Sequence, residues 1–238
     1  MSRDEVIFME WMIELSGDPS DLDKLSKVFT TPELCIQKDG ENFLLKSEDY
    51  ESCVSSDDVK NIASEILNNL NAGIALSLDS QKKIDIAGII QIGDDGRRHC
   101  FIEISSSYLT LGPTLLMIGE NIHPADPIPR WIKIAHKDAK VAKAFNFIVA
   151  DFNSWNSLYK ILEVLKEDQF KLVRNGSCHE NKISDFKRTA NCYETIGIDA
   201  RHAKENQAPP KNPMSLSQAK SFIKMLLHEW LREKESKL

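Results

Sequence analysis

Glycine and proline are both sparse, 10 and 9 residues of 238, which excludes collagen-like and low-complexity architectures. No stretch of eighteen apolar residues occurs, so no membrane-spanning helix is expected. Met1 is not followed by a basic segment and an apolar core, so the expected location is cytoplasmic rather than secreted. The five cysteines, Cys35, Cys53, Cys100, Cys178 and Cys192, are odd in number, scattered and without a CxxC pair. Neither a disulfide framework nor a zinc site is signalled, and reduced, mostly buried thiols are expected. The P-loop, the strand-borne GxGxxG, GxSxG and HExxH are missing as well. Nucleotide hydrolysis, Rossmann oxidoreduction, α/β-hydrolase chemistry and zincin proteolysis therefore lack their phosphate cradle, nucleophile or metal site, and no metal or cofactor is expected.

What remains is a globular composition, 42% hydrophobic and 28% charged, with its charge unevenly spread. Residues 1–120 hold 10 basic and 22 acidic side chains, a net of −12, while residues 121–238 hold 20 basic and 14 acidic, a net of +6. Such a step marks a domain boundary and lets the second half approach an anion. The pattern predicts an acidic domain over 1–120, a proline-rich linker over 121–129 containing Pro124, Pro127 and Pro129, and a basic helical domain over 130–238.

The first domain reads as βαββαββ, a small open sheet with helices on one face. The run Val6–Ile13 predicts a buried strand closed by Gly17 and Pro19, and Ser20 opens a helix carrying Leu22, Leu25, Val28 and Phe29. A hairpin of Leu34–Gln37 and Asn42–Lys46 turns at Lys38-Asp39-Gly40. Ser55-Ser56-Asp57-Asp58 starts a helix expected to end near Asn71-Ala72-Gly73. A second hairpin, Ile84–Ile92 and Arg98–Ser105, turns at Asp94-Asp95-Gly96, whose acidic tip reads as solvated rather than metal-binding.

The second domain reads as a four-helix bundle, making the chain α+β. Pro129 starts one long or interrupted helix with Ile132, Ala135, Val141, Ala144, Phe145 and Ile148 on its apolar face. A second follows from about Ser154, a third spans roughly Ile183–Thr195 with Gly197 as its cap, and the fourth is announced by Ser215-Leu-Ser-Gln218 at capping-box spacing. Trp155, Tyr159 and Trp230 read as bundle core, His228 as a packed residue beside the apolar stripe, and His99 as a strand surface position.

Arg188, Asn191, Arg201, His202 and Lys204 cluster between the third and fourth helices. Arginine offers a planar fork for phosphate and histidine a proton shuttle near neutral pH, the residue types that metal-free RNA cleavage needs. From about Pro129 to Leu238 the chain resembles the four-helix HEPN-type domains of bacterial toxin–antitoxin and phage-defence proteins. It is particularly similar to the C-terminal helical domain of abortive-infection proteins, the likeness resting on Gly197, Arg201-His202 and the helix MSLSQAKSFIKMLLHEWL. The resemblance implies a catalytic set of His202, Arg201 and Arg188, with Arg188, Asn191, Arg201 and Lys204 holding phosphate. Active members of that superfamily separate arginine and histidine by four to six residues, whereas Arg201 and His202 are adjacent and would point about 100° apart on a helix. Arg130/His136 and Arg174/His179 have the spacing, one that chance supplies at this composition, but lie elsewhere in the bundle.

The expectation is a cytoplasmic two-domain protein: an α+β sensing module joined to a non-catalytic or regulatory HEPN-like module for interaction or homodimerisation, in phage defence or stress response. The alternatives are a metal-independent endoribonuclease of the HEPN toxin type and a non-catalytic nucleic-acid binder, either one engaging RNA through the basic half.

Overall fold

A computed structural model of the chain describes residues 10–80, 82–93, 97–102, 123–170, 179–201 and 209–237. It is α+β, with an amino-terminal antiparallel sheet and carboxy-terminal helices. The chain divides into two compact units, Met1–Pro129 and Arg130–Leu238.

The first unit is built on six strands, β1 (Glu10–Ser16), β2 (Thr30–Thr31), β3 (Leu34–Asp39), β4 (Asn42–Ser47), β5 (Asp85–Ile92) and β6 (Arg98–Ile102), in the order β2-β3-β4-β1-β5-β6. Every pairing is antiparallel, and Ile36, Leu45, Ile13 and Ile89 lie in register across four strands. All four are buried, because alternate residues of a strand share one face. The β3–β4 hairpin turns on Gly40-Glu41, with Asp39 opposite Asn42 and Gly40 at φ +62°, a conformation that side chains with a Cβ disfavour.

Helix α1 (Pro19–Ser26) begins one residue earlier than Ser20, because Pro19 opens it and Asp18 caps it. Asp18 Oδ1 accepts from the backbone N–H of Ser20 at 3.0 Å and Oδ2 from Lys82 Nζ at 2.7 Å. Lys82, foremost, and those N–H groups hold the Asp18 carboxyl below the usual range, against partial burial.

Helix α2 (Ser56–Ser77) opens on a capping box made by Ser55 and Asp58 and continues past the expected stop at Asn71-Ala72-Gly73. The Asn71 side chain pairs with both backbone groups of Ile84, donating to its carbonyl at 2.9 Å and accepting from its N–H at 2.8 Å. This asparagine therefore steers entry into β5 and does not end the helix. Gly73 is buried mid-helix against Ile128, where a Cβ would lie 2.6 Å from Ile128 Cγ2.

Residues 123–128 form a hydrogen-bonded turn, with Ala125 and Ile128 buried, leading directly into the first helix of the carboxy-terminal series. That series comprises α3 (Ile128–Lys137), α4 (Ala139–Asp151), α5 (Trp155–Glu167), α6 (His179–Asn191), the short α7 (Tyr193–Ile196) and α8 (Leu216–Glu235). The helix expected from Pro129, long or interrupted, is broken at Asp138, whose side chain caps α4 by accepting from Lys140 and Val141 N–H. The helix expected over Ile183–Thr195 breaks at Cys192, giving α6 and α7, and Gly197 follows at φ +63°. Helix α5 is central, packing on α4, α6 and α8. Phe145, Leu158, Leu162, Phe186, Leu226 and Trp230 fill the space between these helices, each at most 1% exposed.

Among the described residues no helix is long and apolar enough to cross a membrane. Cys53 and Cys192 are buried and Cys35 half-buried, but Cys100 is exposed on edge strand β6, against the expectation of mostly buried thiols; Cys178 lies outside the described residues.

Candidate functional site

Of the five residues singled out in the sequence, His202 and Lys204 lie outside the described residues, and Arg188, Asn191 and Arg201 lie within them. Arg188 and Asn191 occupy the last turn of α6, and Arg201 follows the short 3-10 turn of Gly197–Asp199. The Arg201 backbone N–H donates to the Ala190 carbonyl at 2.9 Å, folding this segment back onto the end of α6.

From that anchor the Arg201 side chain crosses to α5. Its Nη2 lies 2.9 Å from Glu163 Oε1, and its guanidinium carbon sits 4.2 Å from the centroid of the Tyr159 ring. Glu163 and Tyr159 are one turn apart on α5, so a single helix face presents both the counter-ion and the aromatic platform. Arg188 Nη2 points to the Pro209 carbonyl at 3.5 Å, on the side of the chain leading into α8. The two arginines therefore engage different elements. Asn191 Nδ2 donates to the Lys187 carbonyl at 2.9 Å, while its Oδ1 is buried without a hydrogen-bond partner among the described residues, as is Thr195 Oγ1 four residues on.

Two further residues complete this edge and were not legible from their positions in the sequence. Lys166, one turn after Glu163 on α5, neighbours Lys187 on α6. Burial first, then the hydrogen bond and charge of Lys187, push Lys166 down to about 8, against the opposing pull of Glu163. The only sequence signal was the spacing Tyr159, Glu163, Lys166 along one stripe of α5; the contact itself needs the tertiary register of α5 against α6.

The remaining candidates resolve individually. His99 is exposed on β6. His228 packs edge-on against Trp131, ring centroids 5.2 Å apart. Trp155 and Trp230 are buried, whereas Tyr159 is half-buried beneath Arg201. Arg130 lies 3.6 Å from Glu235, and His136 is exposed on α3. Arg174 and the Asp94-Asp95-Gly96 turn lie outside the described residues. Among the described residues no three His, Cys, Asp or Glu side chains are grouped to hold a metal ion.

A groove of about 530 Å³ runs between α6 and α8, with Lys182 and Asp185 on one wall and Ser217, Ser221 and Met225 on the other. Two of its lining residues, Asp185 and Met214, are tied together by Thr189, fully buried, whose hydroxyl donates to the Asp185 carbonyl at 2.7 Å and accepts from Met214 N–H at 3.2 Å.

Compared with models of protein families, with curated proteins and with solved structures, the chain finds no match.

Proposed function

We propose that the chain is a non-catalytic interaction protein, in which a HEPN-like helical module for binding partners or a second copy is joined to an α+β sensing module of the kind used in phage defence or stress response. The observation that carries this reading is the seating of Arg201. A guanidinium that grips a reacting phosphate must offer its donors to substrate. That of Arg201 is occupied by Glu163 on its edge and Tyr159 on its face. Arg188 is directed at a backbone carbonyl on another element, so the two arginines do not converge as phosphate clamps. Solvent-facing apolar side chains at the same end of the unit, Ile198 at 91% and Tyr193 at 42% exposed, are in keeping with a contact surface.

The test is RNA integrity. Purified protein at micromolar concentration, incubated for hours with structured and single-stranded RNA in EDTA, is expected to leave both intact. Cleavage by the wild type that disappears in His202→Ala would overturn the reading in favour of a metal-independent endoribonuclease.

A further inference from the structure

Helices α6 and α8 both pack on α5 and meet each other at depth, where the ring centroids of Phe186 and Phe222 lie 6.3 Å apart. Outside that contact lies the groove of about 530 Å³. Its α8 wall is a row at four-residue spacing, Ser217, Ser221 and Met225, which covers about 12 Å along the helix axis. Buried Phe222 and half-buried Met214 add apolar surface. The α6 wall carries Lys182 and Asp185, one turn apart, and among the described residues neither side chain makes an ion pair or a hydrogen bond.

We propose, on the reading of the chain as an interaction protein, that this groove receives an amphipathic helix of a partner protein. The apolar stripe of that helix lies on Met214, Phe222 and Met225, and a basic and an acidic residue beside the stripe, one turn apart, face Asp185 and Lys182. A row of small side chains at four-residue spacing is the depression into which the ridge of a second helix packs. Ser217 and Ser221 keep that row low, and the unbranched thioethers of Met214 and Met225 adapt to the apolar side chains that arrive. Over two turns an amphipathic helix presents roughly three or four apolar residues on one face, which suits a wall of this length. Two wall charges one turn apart are complementary to two charges one turn apart on a neighbouring helix. Because those charges sum to zero, a polyanion finds no net attraction here. Lys182, Ser217 and Ser221 are exposed, so the rim is open and does not enclose a small molecule.

The groove is held in shape before any partner arrives. Thr189 is fully buried, and its hydroxyl joins the Asp185 carbonyl on α6 to the Met214 N–H ahead of α8. The capping box of Ser215 and Gln218 fixes the first turn of α8, in which Ser217 lies. A partner helix therefore docks on preformed walls, which lowers the ordering cost of binding. In recognition of this kind the apolar anchors supply affinity and the rim charges set register.

The experiment titrates the full chain, by fluorescence anisotropy, with labelled alanine-based helical peptides of about five turns. The first carries a leucine stripe with a glutamate and an arginine one turn apart beside it. A second keeps the stripe and replaces both charges by glutamine, and a third scrambles the first. The first is expected to bind about tenfold more tightly than the second, and the third not at all. Asp185→Lys should weaken the first peptide about tenfold, and changing the peptide's arginine to glutamate should restore the affinity. Ser221→Trp fills the groove and should abolish binding of both striped peptides, while Ser64→Trp, at an exposed position on α2, should leave it intact. Equal affinity of the scrambled peptide, binding untouched by Ser221→Trp, or no rescue by the charge swap overturns the helix assignment. An anilinonaphthalene sulfonate dye that Ser221→Trp displaces, with no peptide bound, also overturns it and reassigns the groove to a small apolar ligand. Failure of every peptide to bind sinks the groove alone, since the seating of Arg201 is tested separately by RNA integrity. RNA cleavage abolished by His202→Ala would remove the non-catalytic reading, and peptide binding lost in Ser221→Trp would still establish the groove.

Discussion

Trp230 and Asp168, 62 positions apart in the chain, meet through one hydrogen bond, the indole N–H donating to Asp168 Oδ2 at 2.8 Å. Lys234, one turn further along α8, lies 2.6 Å from the same oxygen and 2.6 Å from Asp138 Oδ2. Asp138 caps the start of α4 and Asp168 ends α5. A single ammonium on the last helix therefore closes both termini at once, satisfying carboxylates that would otherwise repel across the same gap.

The clamp has a pH signature. For each carboxyl the largest single influence is burial, which opposes ionisation. The Lys234 hydrogen bond and charge outweigh it, joined by Trp230 at Asp168 and by Lys140 and Val141 N–H at Asp138, and both carboxyls sit below the usual range. A carboxyl held low when folded stabilises the fold above its unfolded value and loses that contribution as pH falls through the folded one. Lys234→Met is expected to cost about 1–3 kcal/mol at pH 7, less than a fully buried pair because these groups remain partly wet. The deficit should shrink below about pH 4, where the carboxyls protonate. Urea denaturation of both proteins at pH 7 and pH 3 reads this directly; equal deficits at the two pH values would contradict it.

Gly73 supplies a second prediction. Alanine at this position gains about 1 kcal/mol of helix propensity but drives its Cβ to 2.6 Å from Ile128 Cγ2. Ile128 is fully buried and β-branched, so its methyl cannot turn aside cheaply. Overpacking of this kind costs about 1–3 kcal/mol, and Gly73→Ala should be net destabilising. Ile128→Ala alone opens a cavity, yet in the double variant the two methyl groups no longer collide. A double-mutant cycle by thermal unfolding should therefore show the pair less damaging than the sum of the single changes.

These two sites also mark what the sequence carried and what it did not. Ser215 with Gln218 and Ser55 near Asp58 announced α8 and α2, because caps are chemistry within four residues. The apolar runs that hold Ile13 and Ile89 were equally local. Gly73 misled, since a glycine chosen for close approach looks in sequence like a glycine chosen to stop a helix. Pro19 misled in the same way, as a first-turn proline read as a terminator. At the candidate site, Arg201 was visible as a basic residue near a loop, but its ion pair with Glu163 depends on how α5 and the Gly197 turn pack. The Lys166–Lys187 contact is likewise a product of tertiary register, which no spacing encodes.

Thiol reactivity should follow exposure and thiolate content. Cys100 is exposed on edge strand β6, while Cys53 and Cys192 are 7% and 1% exposed. Burial first, then the charges of Asp58 and Asp49, push the Cys53 thiol up, so little of it is thiolate at neutral pH. Among the four described cysteines of the native protein at pH 8, iodoacetamide is expected to modify Cys100 first and half-buried Cys35 more slowly. Cys53 and Cys192 should react only once urea unfolds the chain. Peptide mapping by mass spectrometry distinguishes the sites, and rapid native labelling of Cys192 would contradict the packing at the α6–α7 break.

Tyr50 poses the sharpest question of stability in the first unit. Its ring is 1% exposed, and its hydroxyl is buried without a hydrogen-bond partner among the described residues. Burial, helped by the neighbouring Asp49 and Cys53, pushes its ionisation far above the usual tyrosine range, so the group stays a neutral phenol. An unpaired buried hydroxyl carries a desolvation cost of about 1–3 kcal/mol, whereas the ring itself contributes apolar burial. The two effects separate cleanly by substitution. Tyr50→Phe removes the orphaned oxygen and keeps the ring, and should leave stability unchanged or raise it by about 1 kcal/mol. Tyr50→Ala empties the site and should cost about 3–5 kcal/mol, as large-to-small changes in cores do. Urea midpoints of the two variants against the wild type decide the matter: a Phe variant less stable than wild type by more than about 1 kcal/mol would mean that the hydroxyl has a partner in solution.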